Sequence, residues 1–186
     1  MARWISVGFL TVMLTTVACA DAVPRPNPFP LADGNRWTFR HTETDVSRTM
    51  SVRKAGRGLV LVGLPGAPAL RVRWAGTTVQ AWDTSGDRWE ALFRFGLPAG
   101  KSYLVRLGDT FVWRNVAVTV ASKRARVEDD RGRTRLATRF TFASKTPIAD
   151  AGIESMSFVP RVGPVRIVEL TIAGPRELAL VSHRLS

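Results

Sequence analysis

Two histidines, His41 and His183, stand near opposite ends of the chain and are the first candidates for metal or acid–base chemistry. Zinc takes three or four ligands from Cys, His and carboxylates, and the carboxylates nearest His41 are Glu43 and Asp45. First and last strands of a meander can pair, which would let the histidines share a site. With no cysteine to complete the set, His41 reads instead as the end of an apolar face, and no metal or cofactor is expected. Glu128, Asp129 and Asp130 are adjacent acids, the residue type that glycoside hydrolysis uses in pairs. Followed by Arg131-Gly132, they read as a solvated hairpin tip. Trp74, Trp82, Trp89 and Trp113 are a heavy aromatic load. Core filling is the default use of such rings. The sharper expectation is a concave, ligand-facing aromatic surface that takes an acyl chain or a hydrophobic peptide.

Ser51-Val52-Arg53-Lys54 matches the Ser-x-x-Lys spelling of penicillin-recognising enzymes, whose chemistry needs both side chains on one helical face. Here the surrounding alternation is strand-like and sends positions i and i+3 to opposite faces. No Ser-Asp-Asn or Lys-Thr-Gly partner follows, and there is no Gly-x-Ser-x-Gly elbow, phosphate loop or calcium-loop spacing. The expectation is a protein without catalytic residues. A hydrolase whose site is assembled across a sheet is the remaining catalytic alternative.

The sole cysteine, Cys19, stands where an apolar run from Trp4 to Val17 gives way to Ala18-Cys19-Ala20-Asp21-Ala22. Arg3 precedes that run. A basic residue, an apolar stretch and small residues at a cleavage point make an export signal. The stretch is shorter than the roughly 20 residues of a membrane span. Thr16-Val17-Ala18-Cys19 resembles a bacterial lipobox, in which the cysteine is acylated and becomes the first mature residue, although Thr stands where Leu is usual. The signal is therefore residues 1–18 if Cys19 is lipidated, or extends to 20 or 22 under simple secretion. The partner implied by lipidation is the membrane, and the location is the periplasmic side of the cell envelope.

The formal net charge is +12, from 27 basic and 15 acidic side chains. Nearly all of the excess is Arg; the lysines are Lys54, Lys101, Lys123 and Lys145. The arginines are scattered and form no single basic block, and an exported protein rarely meets nucleic acid, so nucleic-acid binding is rejected. A solvated basic face is the plain reading. Its functional counterpart is attraction to anionic envelope lipids or polymers.

Prolines at 24, 26, 28 and 30 make residues 19–30 an extended spacer, and a single β domain is expected over 31–186. From there apolar and polar residues alternate with period 2. Trp37, Phe39 and His41 share one face; so do Leu70, Val72 and Trp74, then Trp89, Ala91, Phe93 and Phe95, then Leu136, Phe140 and Phe142. Gly-, Pro- and Asp-rich turns punctuate the runs, and Thr110 to Val127 followed by Arg133 to Phe142 reads as a long hairpin. Thr146 to Glu154 is the one window that suggests a helical turn. The pattern predicts an all-β fold, an antiparallel meander of about ten strands forming a curved sheet or partly closed barrel. Most runs are shorter than the roughly 9–11 residues of a membrane-spanning strand, which argues against an outer-membrane barrel.

Pro30-Leu31 followed by Gly34-Asn35-Arg36-Trp37, with Phe158-Val159-Pro160-Arg161-Val162-Gly163-Pro164-Val165 near the end, resembles a group of uncharacterised bacterial exported and lipoprotein β domains. Their phrases are P-L-x-x-G-N-x-W and F-x-P-x-V-G-x-V. Arg161 and Pro164 depart from the small or apolar residues usual in the second phrase. The resemblance implies an antiparallel envelope domain and supplies no catalytic residues. The functional expectation is an exported envelope protein, a lipoprotein with a non-catalytic binding or structural role. The alternatives are a periplasmic carrier of lipid or lipoprotein, and a hydrolase.

Overall fold

A computed structural model describes residues 27–110, 112–144 and 151–186. The expected export signal, Cys19 and the first part of the Pro-rich stretch lie outside the described residues. Twelve strands form one sheet: β1 (Arg36–His41), β2 (Ser47–Ala55), β3 (Gly58–Val62), β4 (Leu70–Ala75), β5 (Thr78–Asp83), β6 (Arg88–Arg94), β7 (Ser102–Val105), β8 (Val116–Glu128), β9 (Thr134–Ser144), β10 (Ala151–Val159), β11 (Gly163–Thr171) and β12 (Gly174–Arg184). The order is β6-β5-β4-β3-β2-β1-β12-β11-β10-β9-β8-β7, every described pairing is antiparallel, and the sheet curls into a nearly closed barrel. The fold is all-β as the alternation predicts, with two strands beyond the expected ten. No described residue is helical. Of the window expected to turn helically, residues 146–150 are not described, and Ala151–Glu154 opens β10 instead.

Period-2 alternation decides which side chains enter the barrel. Trp37 and Phe39 of β1 face inward, and their cross-strand partners share that face. Met50, Val52, Leu61, Leu70, Val72, Val79 and Ala81 continue the inner surface around β2 to β5. The rings of Phe29, Phe93, Phe140 and Phe158 meet in the interior, with Phe93 lying 4.8 Å from Phe158 and 5.6 Å from Phe140. Edge-to-face and tilted ring pairs at such separations each add about 0.5–1.5 kcal/mol beyond the area they bury. Phe29 belongs to this cluster although it falls in the Pro-rich stretch, so the globular unit takes in the end of the spacer. An apolar interior under an Arg-bearing exterior inverts the pattern of a membrane-spanning barrel.

Two runs depart from simple alternation. A β-bulge in β6, where Val79 pairs with Phe93 but Gln80 pairs with Ala91, inserts Leu92 and reverses the facing of the strand. Trp89 and Ala91 consequently face outward, whereas Phe93 and Phe95 face inward; the sequence pattern places all of them on one side. In the β8–β9 hairpin, bulges near Ser122 and Ala125 bend the distal half. Ala137 and Val127 are buried there, and Leu136, expected with Phe140 in the core, is exposed. The segment expected to start that hairpin at Thr110 is instead a turn over one barrel end. Trp113 is buried in it and donates its indole N–H to the Pro65 carbonyl at 3.0 Å.

Candidate functional site

The outer face of β1 to β6 collects arginines from four separate runs of sequence. Register sets this arrangement: Arg36 opposes Ser51, Ser51 opposes Val62, Arg53 opposes Val60, and Val60 opposes Arg71. Arg73 opposes Gln80, and Trp82 opposes Trp89. Directly opposed residues in an antiparallel pair point the same way, so Arg36, Arg40, Arg53, Arg71, Arg73 and Arg94 all project outward beside Val60, Val62, Trp82 and Trp89. All of these arginines are exposed. No outward position of these strands carries a carboxylate. Asp83 is buried, Glu90 opposes Ala81 on the inner side, and Asp33, Glu43, Asp45 and Asp87 lie in turns.

A cation–aromatic stack sits on the β4 to β6 side of that face. Trp82 and Trp89 meet edge to face at 5.3 Å. The Arg73 guanidinium lies 4.1 Å from the Trp89 ring centre, and that of Arg71 lies 5.6 Å from Trp89 and 5.8 Å from Trp82. Gln80 accepts the Arg73 Nε–H at 2.9 Å, which fixes the plane of that guanidinium. Stacking holds the arginines extended over the rings and reduces the rotamer freedom that a partner would otherwise have to freeze.

Of the four tryptophans expected to face a ligand, the structure brings together Trp82 and Trp89 and separates Trp74 and Trp113 from them. Trp113 is core. Trp82 and Trp89 are on the outer face. Trp74 lines an open cavity of about 410 Å³ at the barrel mouth, with Phe95, Pro28, Pro160, Thr77 and Thr138. Its indole N–H donates to the Phe29 carbonyl at 3.1 Å, and its ring lies 5.7 Å from Phe95. Gly76 and Gly96 leave the rim of this cavity open, and no charged side chain lines it.

The histidines are separated by register. β1 and β12 do pair, but His41 opposes Leu178 while His183 opposes Trp37 at the other end of the strand. No group of three or more His, Cys, Asp and Glu among the described residues is placed to hold a metal. His183 Nδ1 lies instead 2.7 Å from Asp130 Oδ2, which ties the β8–β9 tip to β12. Beside it the Asp129 carboxylate is fully enclosed. It accepts the backbone N–H groups of Arg131 and Arg133, both at 3.0 Å, and the guanidinium N–H groups of Arg133 and Arg135 at 3.0–3.2 Å. Burial alone would raise this carboxyl's pKa; the hydrogen bonds from Arg133, Arg135 and Arg131 outweigh burial and hold it well below the usual carboxylate range. Of the acids expected to be a solvated tip, Glu128 is exposed, whereas Asp129 and Asp130 are its internal fastening. Between that bent hairpin and β11–β12 lies a groove of about 590 Å³ whose charged lining is mixed: Arg126, Glu128, Arg166 and Glu177.

The arginine face escaped the sequence reading because its members are spread over Arg36 to Arg94. The available signal was the phase of each alternation, which already puts Arg71 and Arg73 opposite Leu70, Val72 and Trp74. No family model matches this chain, and no curated protein or solved structure matches it.

Proposed function

We propose that this chain is an exported envelope protein, acylated at Cys19, whose barrel binds or braces a partner and carries out no reaction. The observation that carries the reading is the filled interior: Phe29, Phe93, Phe140 and Phe158 occupy the space where an enzyme or carrier of this shape would house a substrate. The engaged state of the acids and of His183 supports it, since their contacts fasten the hairpin tip. The export signal supports the location, and the basic balance supports an anionic envelope lipid or polymer as partner. Intact-mass measurement of the mature protein from membrane and soluble fractions tests the anchor. A diacylglyceryl-bearing N-terminus at Cys19 is the expected result; an unmodified soluble N-terminus at Asp21 or Val23 overturns it.

The carrier alternative draws on one observation, the mouth cavity beside Trp74 and Phe95. Its volume falls in the range of small-molecule sites. A fluorescent fatty acyl probe that binds the wild type and not Trp74→Ala would favour the carrier reading.

A further inference from the structure

We propose that the outer face of β2 to β6, built on Arg53, Arg71, Arg73, Arg94, Trp82 and Trp89, docks on an anionic lipid bilayer through its phosphate headgroups. This rests on the envelope location proposed above, and it specifies which face meets the membrane.

The first ground is charge complementarity. These outward strand positions are cationic or neutral throughout, and the exposed carboxylates Asp87 and Asp109 lie in turns beside the face. The strands on the other side of the sheet are mixed: Glu128, Glu154 and Glu177 stand on β8, β10 and β12 together with Arg124, Arg126, Arg166 and Arg176. The outer face of β2 to β6 is therefore the one whose strand positions are free of acids, and an anionic surface orients the protein with that face inward.

The second ground is shape. The arginines come from strands spaced about 4.8 Å apart, so they spread over a sheet face, and the cleft that Arg71 and Trp82 edge is small, about 150 Å³. A broad surface with side chains standing on it suits a lamellar partner, whereas a single polymer strand engages a groove. The third ground is the stack. Trp is the side chain that settles at the headgroup level of bilayers, and the guanidiniums of Arg71 and Arg73 are already spread over Trp82 and Trp89. Such planar, weakly hydrated groups pair bidentately with phosphate.

The test uses the whole chain with Cys19→Ser, so that no acyl group can tether it, and vesicles of phosphatidylcholine with or without phosphatidylglycerol. Binding to the anionic vesicles alone, weakening as salt rises, is expected. Each interfacial arginine contributes roughly a factor of five, so R71E/R73E is expected to weaken binding by about 30-fold or more. The single charge reversal R124E, at an exposed position on β8 and matched in charge to R53E, is expected to alter it by less than about 3-fold. Near-ultraviolet circular dichroism checks that each variant is folded. If R71E/R73E does not fold, R53E, outside the tryptophan stack, takes its place with an expected loss of about 5-fold or more. Equal binding to neutral vesicles, or equal losses from R124E and R71E/R73E, overturns the proposal. So does binding of soluble polygalacturonate through Arg71 and Arg73 with no binding to vesicles. None of these outcomes depends on whether Cys19 is acylated, which the mass measurement decides separately.

Discussion

Tyr103 donates its phenol hydrogen to the Leu92 carbonyl at 2.9 Å, and the same oxygen accepts the Arg94 N–H at 3.1 Å. Tyr103 is on β7 and Leu92 on β6, the two ends of the sheet. No backbone ladder joins these ends among the described residues, so a side chain supplies the bonds that a twelfth pairing would have made. Lys123 assists from β8 by donating its ammonium to the Phe95 carbonyl. Tyr103→Phe keeps the ring and removes the hydroxyl, leaving the Leu92 carbonyl and the Arg94 N–H unpartnered. A loss of about 1–3 kcal/mol is expected in urea denaturation. An unchanged midpoint would show that the seam is held by packing alone.

The same residue reports on alkaline pH. Burial pushes the Tyr103 phenol well above its ordinary value of 10.0, against the smaller opposing effects of Arg94. The unfolded chain releases this proton near 10.0, so the contribution to stability is fully present below that pH and is lost as pH rises above it. Tyr103 is the only tyrosine. Phenolate absorbance is therefore expected to stay absent as pH passes 10.0 and to appear together with loss of the fold. Reversible ionisation near 10.0 in folded protein would contradict the closed seam.

Asp129 gives the acid counterpart. Its folded pKa lies below the ordinary 3.8, so its stabilisation is present above about that pH and is lost as pH falls below it. Asp129→Asn keeps the shape but pairs neutrally with the guanidiniums of Arg133 and Arg135. A cost of about 1–3 kcal/mol at neutral pH is expected, together with a flatter dependence of unfolding free energy on pH below 4. Equal slopes in variant and wild type would remove Asp129 from that role.

Gly163 stands where the two resembling phrases touch. Trp37 donates its indole N–H to the Val162 carbonyl at 2.6 Å, and a Cβ on Gly163, whose φ is +102°, would lie 2.7 Å from that indole nitrogen. Gly163→Ala combines backbone strain with a collision in the core and should cost about 2–4 kcal/mol. Gly56, with φ +58° and open space around it, isolates the strain. Gly56→Ala is expected to cost about 1 kcal/mol. Equal losses from the two changes in thermal denaturation would rule out the collision.

The contact between His183 and Asp130 fastens a hairpin that overhangs the barrel. His183→Ala should raise amide exchange at the tip, Arg126 to Arg135, by about 10-fold, with the β1–β2 ladder unchanged. Exchange that rises equally in β1 and at the tip would mean that His183 supports the whole barrel.

How much of this was legible beforehand differs from strand to strand. In β1 and β4 the local alternation alone assigned every side chain to its face, because an unbroken strand keeps period 2. In β6 it failed after Ala91, since the bulge at Leu92 depends on pairing with β5 and leaves no mark in the local pattern. Leu136 failed for a related reason: the bulges between Val120 and Ala125 shift the β8–β9 register, so that Ala137 is buried and Leu136 is exposed.

By itself, then, the sequence determined an antiparallel all-β chain, the places where it turns and the inward face of each regular strand. Those properties are local, written in residue type and spacing. Tertiary structure decided the rest: which ends meet at Tyr103, that Trp37 rests on Val162, and that arginines from scattered runs stand together over Trp82 and Trp89. Each of these depends on register between strands, and register is fixed by bulges, turns and long-range packing that no short window contains.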